Sequence, residues 1–224
     1  MGASCNIPLP SVKSSFELFH RISCKKNGDP DTMPPVAFMR IGIDFDSTIA
    51  KIDEPLLDRL NTFRGTSYRA EDWSDWDLTF LRPDDRKLLF QLFTPDLYDL
   101  VVPYPQAPES VNALSKDPGV ELVCVTSNPQ ENAEAFAEAK RHWLRRHIPE
   151  LSGKLIASKH KFGLGLDILV DDAPHHHEMA DCTTVLVRRP WNRDVRCSLE
   201  FAHWADGLRV LTRLIRNSQQ NLHE

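Results

Sequence analysis

The chain has 224 residues, a formal net charge of −5, 41% hydrophobic and 26% charged residues, which suits one globular α/β domain with a modest insertion. This balance excludes the broad positive field that would mark a partner of nucleic-acid polymers, and no apolar run nears the ~20 residues of a membrane helix. Five cysteines (Cys5, Cys24, Cys124, Cys182 and Cys197), odd in number and without CxxC spacing, argue against a disulfide framework and for a cytoplasmic setting.

Residues 1–38 read as a flexible N-terminal extension. Met-Gly-Ala-Ser-Cys-Asn resembles a myristoylation start, but Asn6 stands where Ser or Thr belongs. There is no signal-peptide apolar core, Glu17, Asp29 and Asp31 oppose a transit peptide, and NGDPDTMPP at 27–35 reads as a linker. Met39 offers an alternative start of translation. Phe38–Asp44 is an apolar run ending in acid, the mark of a buried parallel strand. The polar and aromatic stretch at roughly 50–105 follows, with helical patterns at Pro55–Phe63 and Pro83–Phe93 and with Pro103 and Pro105 closing it. It reads as a small helical cap.

Glu109–Ser115 predicts a helix ended by Pro118-Gly119, and Val120–Thr126 a strand. A helix follows Ser127-Asn128-Pro129 and runs to about His147, with Ala133, Phe136, Ala137, Lys140 and Leu144 on its inner face. Leu155–Ala157, Asp167–Val170 and Thr183–Val187 predict further strands, and Phe201–Ile215 a closing helix. Strands alternating with helices imply a three-layer α/β sandwich around a parallel, Rossmann-like sheet, with residues 39–218 as the catalytic domain.

Ligands of such sheets bind beyond the carboxyl ends of the strands. Asp44 and Asp46 follow the first strand, Thr126 and Ser127 end the second, Lys161 follows the third, and Asp171 and Asp172 end the fourth. Two carboxylates two apart on a turn can face one cavity, one attacking phosphorus and the other moving the leaving-group and water protons. The carboxylates and a phosphoryl group would repel one another in a dry pocket, a conflict that Mg²⁺ removes. Asp44, the main-chain carbonyl of Asp46 and Asp171 are the candidate ligands, with Asp172 behind a bound water. Lys161 supplies a compact positive charge. Thr126 or Ser127, with N–H groups at the next helix start, can cradle phosphate oxygens.

Taken in order, DFDST, VTSNP, Lys161 and LVDDAP resemble the haloacid dehalogenase-like phosphatases over about 39–195. The resemblance implies Asp44 as nucleophile, Asp46 as acid/base, Thr126 or Ser127 and Lys161 as phosphate holders, and Asp171 as metal ligand. Within that superfamily the chain is similar to the 5′(3′)-deoxyribonucleotidases in its TSNP turn, where Asn128 is a departure, in the lysine-to-aspartate spacing of KFGLGLDILVDD, and in its small cap. The implied activity is Mg²⁺-dependent hydrolysis of (deoxy)ribonucleoside monophosphates. Other readings stay open: a phosphatase for another small metabolite such as a sugar phosphate, transfer to an acceptor other than water, or a phosphate-binding regulatory protein without turnover. A homodimer is compatible with all of them. Trp73 and Trp76 in AEDWSDWDL either stack a nucleobase or pin the cap's own core. Trp191-Asn192 reads as packing or as a wall of the site. His175-His176-His177 reads as an exposed loop, since three adjacent histidines cannot easily converge on one ion. Arg188-Arg189 faces solvent or a second substrate charge.

Overall fold

The computed structural model describes residues 38–221, so the readings made on 1–37 lie outside the described residues. In chain order the elements are β1 (Met39–Asp44), β2 (Ala50–Lys51), α1 (Asp53–Arg64), α2 (Pro83–Leu92), β3 (Val102–Pro103), α3 (Ala107–Ser115), β4 (Val120–Thr126), α4 (Ala133–His147), β5 (Leu155–Ala157), β6 (Ile168–Asp171), α5 (Pro174–Met179), β7 (Thr183–Val187), β8 (Glu200–Phe201) and α6 (Trp204–Asn221). Six strands form one sheet in the order β5-β4-β1-β6-β7-β8, every neighbouring pair parallel. The order runs outward from β1 to β5, then returns past β1 to β6 and β8. Such a reversal opens a crevice at the strand ends beside β1.

The strands alternate between two faces, as a pleated strand must. Ile41, Ile43, Leu122, Cys124, Ile168 and Val170 join the large core, where α3, α4 and α6 bring Val111, Leu114, Phe136, Trp143, Leu144, Trp204 and Leu211. Val123, Val125 and Leu169 face the other way, against Leu166. That second face is covered by Leu164 and Leu166 of the β5–β6 connection and by Cys182, so the third layer is thin. Gly42 permits the close seat of this connection: a Cβ there would stand 2.6 Å from Leu166 Cδ1.

Between β1 and β4 the chain builds α1 and α2, with short 3₁₀ turns at Ala70–Asp72 and Pro95–Asp99. Leu56, Leu57 and Leu60 give α1 its buried stripe, and Gly65 ends it in the left-handed region at φ 66°. Pro83 starts α2 at its first position. Arg64 and Arg82 converge on Asp85 at 3.0 and 2.8 Å, tying α1 to α2. The antiparallel pair β2–β3 closes the segment at its base.

Three expectations are corrected. Phe201 belongs to β8, not to the last helix, because its N-terminal neighbour Glu200 pairs with Leu186. Helix α4 begins at Ala133, after Asn132 turns the chain at φ 67°, so its first N–H groups do not directly follow Thr126. His175–His177 lie in α5 rather than in a loop, since Pro174 starts a helical turn.

Candidate active site

Three adjacent strands end at one level. Asp44 pairs with Val125, and Ile43 with Val170, so the ends of β1, β4 and β6 bring Asp44, Thr126 and Asp171 to one edge. Past Asp44 the chain doubles back: the N–H groups of Ile49 and Ala50 donate to the Phe45 carbonyl at 3.1 and 3.0 Å, and Ser47 takes φ 58°. Phe45 is fully buried between the two aspartates, while Asp44 and Asp46 both line one cavity of about 480 Å³. Ser158 donates its N–H to the Thr126 carbonyl at 2.8 Å, which anchors the start of the connection that delivers Lys161.

Lys161 donates to Asp44 Oδ1 and, at 2.7 Å, to Asp171 Oδ2. Asp171 Oδ1 accepts from the Ala173 N–H at 2.8 Å, and His176 Nδ1 lies 2.8 Å from Asp171 Oδ2. Asp172 accepts from Thr48 Oγ1 at 3.2 Å and Trp191 Nε1 at 2.9 Å. Carboxylate oxygens of Asp44, Asp171 and Asp172 lie within 4.8 Å of one another, all three residues buried.

One ammonium does not balance three buried carboxylates. Burial pushes Asp44 up to about 6, with Lys161 opposing and the carboxylates of Asp171 and Asp46 adding to the rise. Burial raises Asp172 well above the usual range, and Asp44 and Asp171 raise it further. Burial also works against the Asp171 carboxylate, but Lys161 and His176 outweigh it and hold Asp171 well below the usual range. Lys161 in turn is held above its ordinary value: burial works against its charge, and Asp171 and Asp44 outweigh that. An all-oxygen donor set with excess negative charge fits a hard divalent cation such as Mg²⁺.

Asp46 is held by two residues absent from the sequence reading of the site. Tyr98 Oη donates to its Oδ1 at 2.7 Å and Lys140 Nζ to its Oδ2 at 2.6 Å. Lys140 also reaches Thr126 Oγ1 at 2.6 Å, while Ser127 Oγ donates to the Ser158 carbonyl at 3.2 Å. Lys140 had one available signal, a lysine on a helix face otherwise made of Ala, Phe and Leu. Tyr98 had none, because its motif-free segment meets Asp46 only through the tertiary fold.

Trp73 and Trp76 line the same cavity as the carboxylates, as do Leu56, Phe90 and Phe93. Trp73 packs against Trp191, centroids 4.9 Å apart, and Trp76 against His175 at 5.2 Å. Trp191 therefore both packs and lines the site. Among the histidines, His176 is buried against Asp171 and His177 Nε2 lies 3.1 Å from the Asp171 carbonyl oxygen, which corrects the exposed-loop reading. Arg189 is partly exposed and is held beside the site's first turn: it donates to the carbonyls of Ser47 and Thr48 at 2.6 and 3.3 Å and lies over the Tyr104 ring at 3.7 Å. Arg188 is paired with Glu200. Asp44, Asp46, Trp73, Trp76, Thr126, Ser127, Lys161, Asp171 and Asp172 all line one cavity.

Residues 38–218 match the family model described as 5′ nucleotidase, deoxy (Pyrimidine), cytosolic type C protein. A 5′(3′)-deoxyribonucleotidase from Clostridium acetobutylicum is 26% identical over 137 residues, covering 60% of this chain and 73% of that protein. Among solved structures, a haloacid dehalogenase-like family hydrolase from Streptococcus pneumoniae is similar at TM-score 0.55 and 10% identity, over 78% of this chain and 99% of that one. A haloacid dehalogenase-like protein from Agrobacterium tumefaciens is similar at TM-score 0.54 and 11% identity, over 79% and 99%.

Proposed function

Because the chain belongs to the family of deoxy (pyrimidine) 5′ nucleotidases of cytosolic type C, a haloacid dehalogenase-like phosphatase, we propose that it hydrolyses (deoxy)ribonucleoside monophosphates to nucleoside and phosphate. One observation carries the substrate class. A single cavity is lined both by the carboxylates and Lys161 and by Trp73, Trp76, Phe90 and Phe93, a lining suited to a phosphate bearing a flat apolar group.

Asp44 is the nucleophile. One of its oxygens forms a bond to phosphorus as the bond to the leaving oxygen breaks, and Asp46 gives that oxygen its proton. Asp46 then takes a proton from water, which attacks phosphorus and frees Asp44. Lys161, buried between Asp44 and Asp171, offsets the charge that the phosphoryl oxygens bring. Thr126 and Ser127 face the same oxygens from the β4 turn. Asp44, the Asp46 carbonyl and Asp171 would hold Mg²⁺, with Asp172 kept in place behind them by Thr48 and Trp191. When bound, the ion supplies Lewis-acid stabilisation of the phosphoryl charge. The unbonded Cys124, Cys182 and Cys197 fit work in the cytoplasm. No helix among the described residues is long and apolar enough to cross a membrane.

Phosphate release from ribo- and deoxyribonucleoside monophosphates and sugar phosphates, with Mg²⁺ and with chelator, tests the proposal. Mg²⁺-dependent release that favours nucleotides is expected. A preference for sugar phosphates would discard the substrate, and silence on every ester would discard the chemistry. In the same assay Trp73→Ala is expected to raise KM for nucleotides about 10-fold, from the loss of roughly 1–3 kcal/mol of base stacking, and to leave p-nitrophenyl phosphate nearly unchanged. An equal rise for both substrates would assign Trp73 to packing alone.

A further inference from the structure

We propose that Tyr98 and Lys140 are positioning residues for Asp46, a two-sided clamp that aims its carboxyl group at the leaving oxygen. The proposal rests on the phosphomonoesterase reading above and names two residues outside its motifs. A carboxyl group on a turn rotates freely about its last torsion unless both oxygens are engaged. Here both are, Oδ1 by Tyr98 at 2.7 Å and Oδ2 by Lys140 at 2.6 Å, which fixes the plane of the group. Asp46 nevertheless keeps a quarter of its side chain exposed and lines the cavity.

Lys140 is fully buried. Its ammonium has three protons and three acceptors: Asp46 Oδ2, Thr126 Oγ1 at 2.6 Å and the Ser127 carbonyl at 3.3 Å. All three belong to the turns that face substrate. The neighbours of Lys140 on α4 are apolar, and an apolar residue of similar length would fill that space without desolvating a charge. Stability alone therefore does not account for a lysine there. Tyr98, also buried, is held neutral: burial raises its phenol well above the usual range, and the Asp46 carboxylate adds to this. It remains a hydrogen-bond donor. Phe45 sits beneath both, its ring 5.6 Å from that of Tyr98 and 5.3 Å from Lys140 Nζ, and blocks sideways movement.

The clamp matters most while charge develops. As phosphorus bonds to Asp44 and its bond to the leaving oxygen breaks, that oxygen takes the Asp46 proton. Asp46 becomes a carboxylate, and the donors already aimed at it receive the new charge without rearrangement. Esters whose leaving group needs that proton should feel the clamp. Esters that expel a stable anion should not.

The test compares kcat/KM, which reports the steps through formation of the aspartyl-phosphate, for a nucleoside 5′-monophosphate and for p-nitrophenyl phosphate. Tyr98→Phe keeps the ring and its packing and removes one donor. It is expected to cost about 10-fold on the nucleotide and under about 3-fold on the nitrophenyl ester, and to add nothing in an Asp46→Asn background. Lys140→Met also frees Thr126 and should lower both, the nucleotide by about 10-fold more. Equal losses on the two esters, or a full further loss on top of Asp46→Asn, would overturn the clamp. A wild-type protein that cleaves neither ester would instead remove the phosphatase reading, and the clamp with it.

Discussion

Replacing Asp44 with asparagine is expected to lower phosphate release by roughly 10⁴-fold or more and, in the chelated protein at pH 7, to raise the melting temperature. The first effect follows from the nucleophilic role proposed for Asp44. The second follows from the charge imbalance around it. Burial, aided by Asp171 and Asp46, lifts the Asp44 carboxyl up to about 6 against the opposition of Lys161, whereas in the unfolded chain it titrates near the ordinary aspartate value of 3.8. A group raised in this way contributes stability that is fully present below about pH 4 and is lost as pH climbs through about 6. At pH 7 the loss is complete and amounts to roughly 3 kcal/mol. The neutral amide escapes it, and about 2–4 °C per kcal/mol is the scale for a chain of this size. The window is clear of the one belonging to Asp171, whose depressed value yields stability present above its ordinary range and lost as pH falls below it. Phosphate release and thermal melts at pH 4 and pH 7, with chelator, decide the matter. Unchanged turnover would remove Asp44 from the chemistry, and a lower melting temperature at pH 7 would contradict the account of the site's charge.

The opposite substitution in charge is Lys161→Met. It leaves Asp44, Asp171 and Asp172, whose oxygens lie within 4.8 Å of one another, without the ammonium that bridges the first two. Breaking a buried pair by removing one partner costs about 3–5 kcal/mol, so the melting temperature without metal should fall by roughly 10 °C. The fall should be smaller at pH 5, where the carboxyl groups can take up protons instead. Mg²⁺ should restore more stability to the variant than it adds to the wild type, because the cation then meets a larger uncompensated charge. Activity should fall at least about 100-fold even with saturating Mg²⁺, since the phosphate loses its direct positive partner. Melts with and without Mg²⁺ measure all of this. An unchanged melting temperature with no added response to the ion would show that the lysine does not carry the balance described.

The placement of Asp44, Thr126 and Asp171 at strand ends is legible because buried parallel strands announce themselves. Val120–Thr126, Leu155–Ala157 and Thr183–Val187 are apolar runs, and their ends in the fold are where the sequence pattern stops. Asp44 and Asp171 were visible as acids terminating such runs. What stayed hidden is held together by partners distant in sequence. The strands Ala50–Lys51, Val102–Pro103 and Glu200–Phe201 are two residues each, too short for a periodicity to register. Lys140 falls on the buried face of its helix by spacing alone, although a charge on an apolar stripe is itself the anomaly. The contact between Tyr98 and Asp46 spans 52 positions, and no local pattern encodes it. The sequence discounts His176 with its neighbours because three adjacent histidines cannot easily converge on one ion. Pro174 was the sign of a helix that would turn one of them inward.

The paired strands β2 and β3 have a consequence for how this molecule can change. The chain leaves the sheet and returns to it through two adjacent strands, so the two ends of the segment from α1 to the turn at Pro95–Asp99 are joined at one place. Replacing or lengthening this segment alters who is admitted while the anchoring points of Asp44, Thr126 and Asp171 stay where the sheet puts them. Tyr98 reaches back from this segment to Asp46, as Trp73 does to Trp191 and Trp76 to His175. Changes within this segment can therefore alter selectivity without moving the anchoring points on the sheet, provided that the phenol of Tyr98 stays against Asp46.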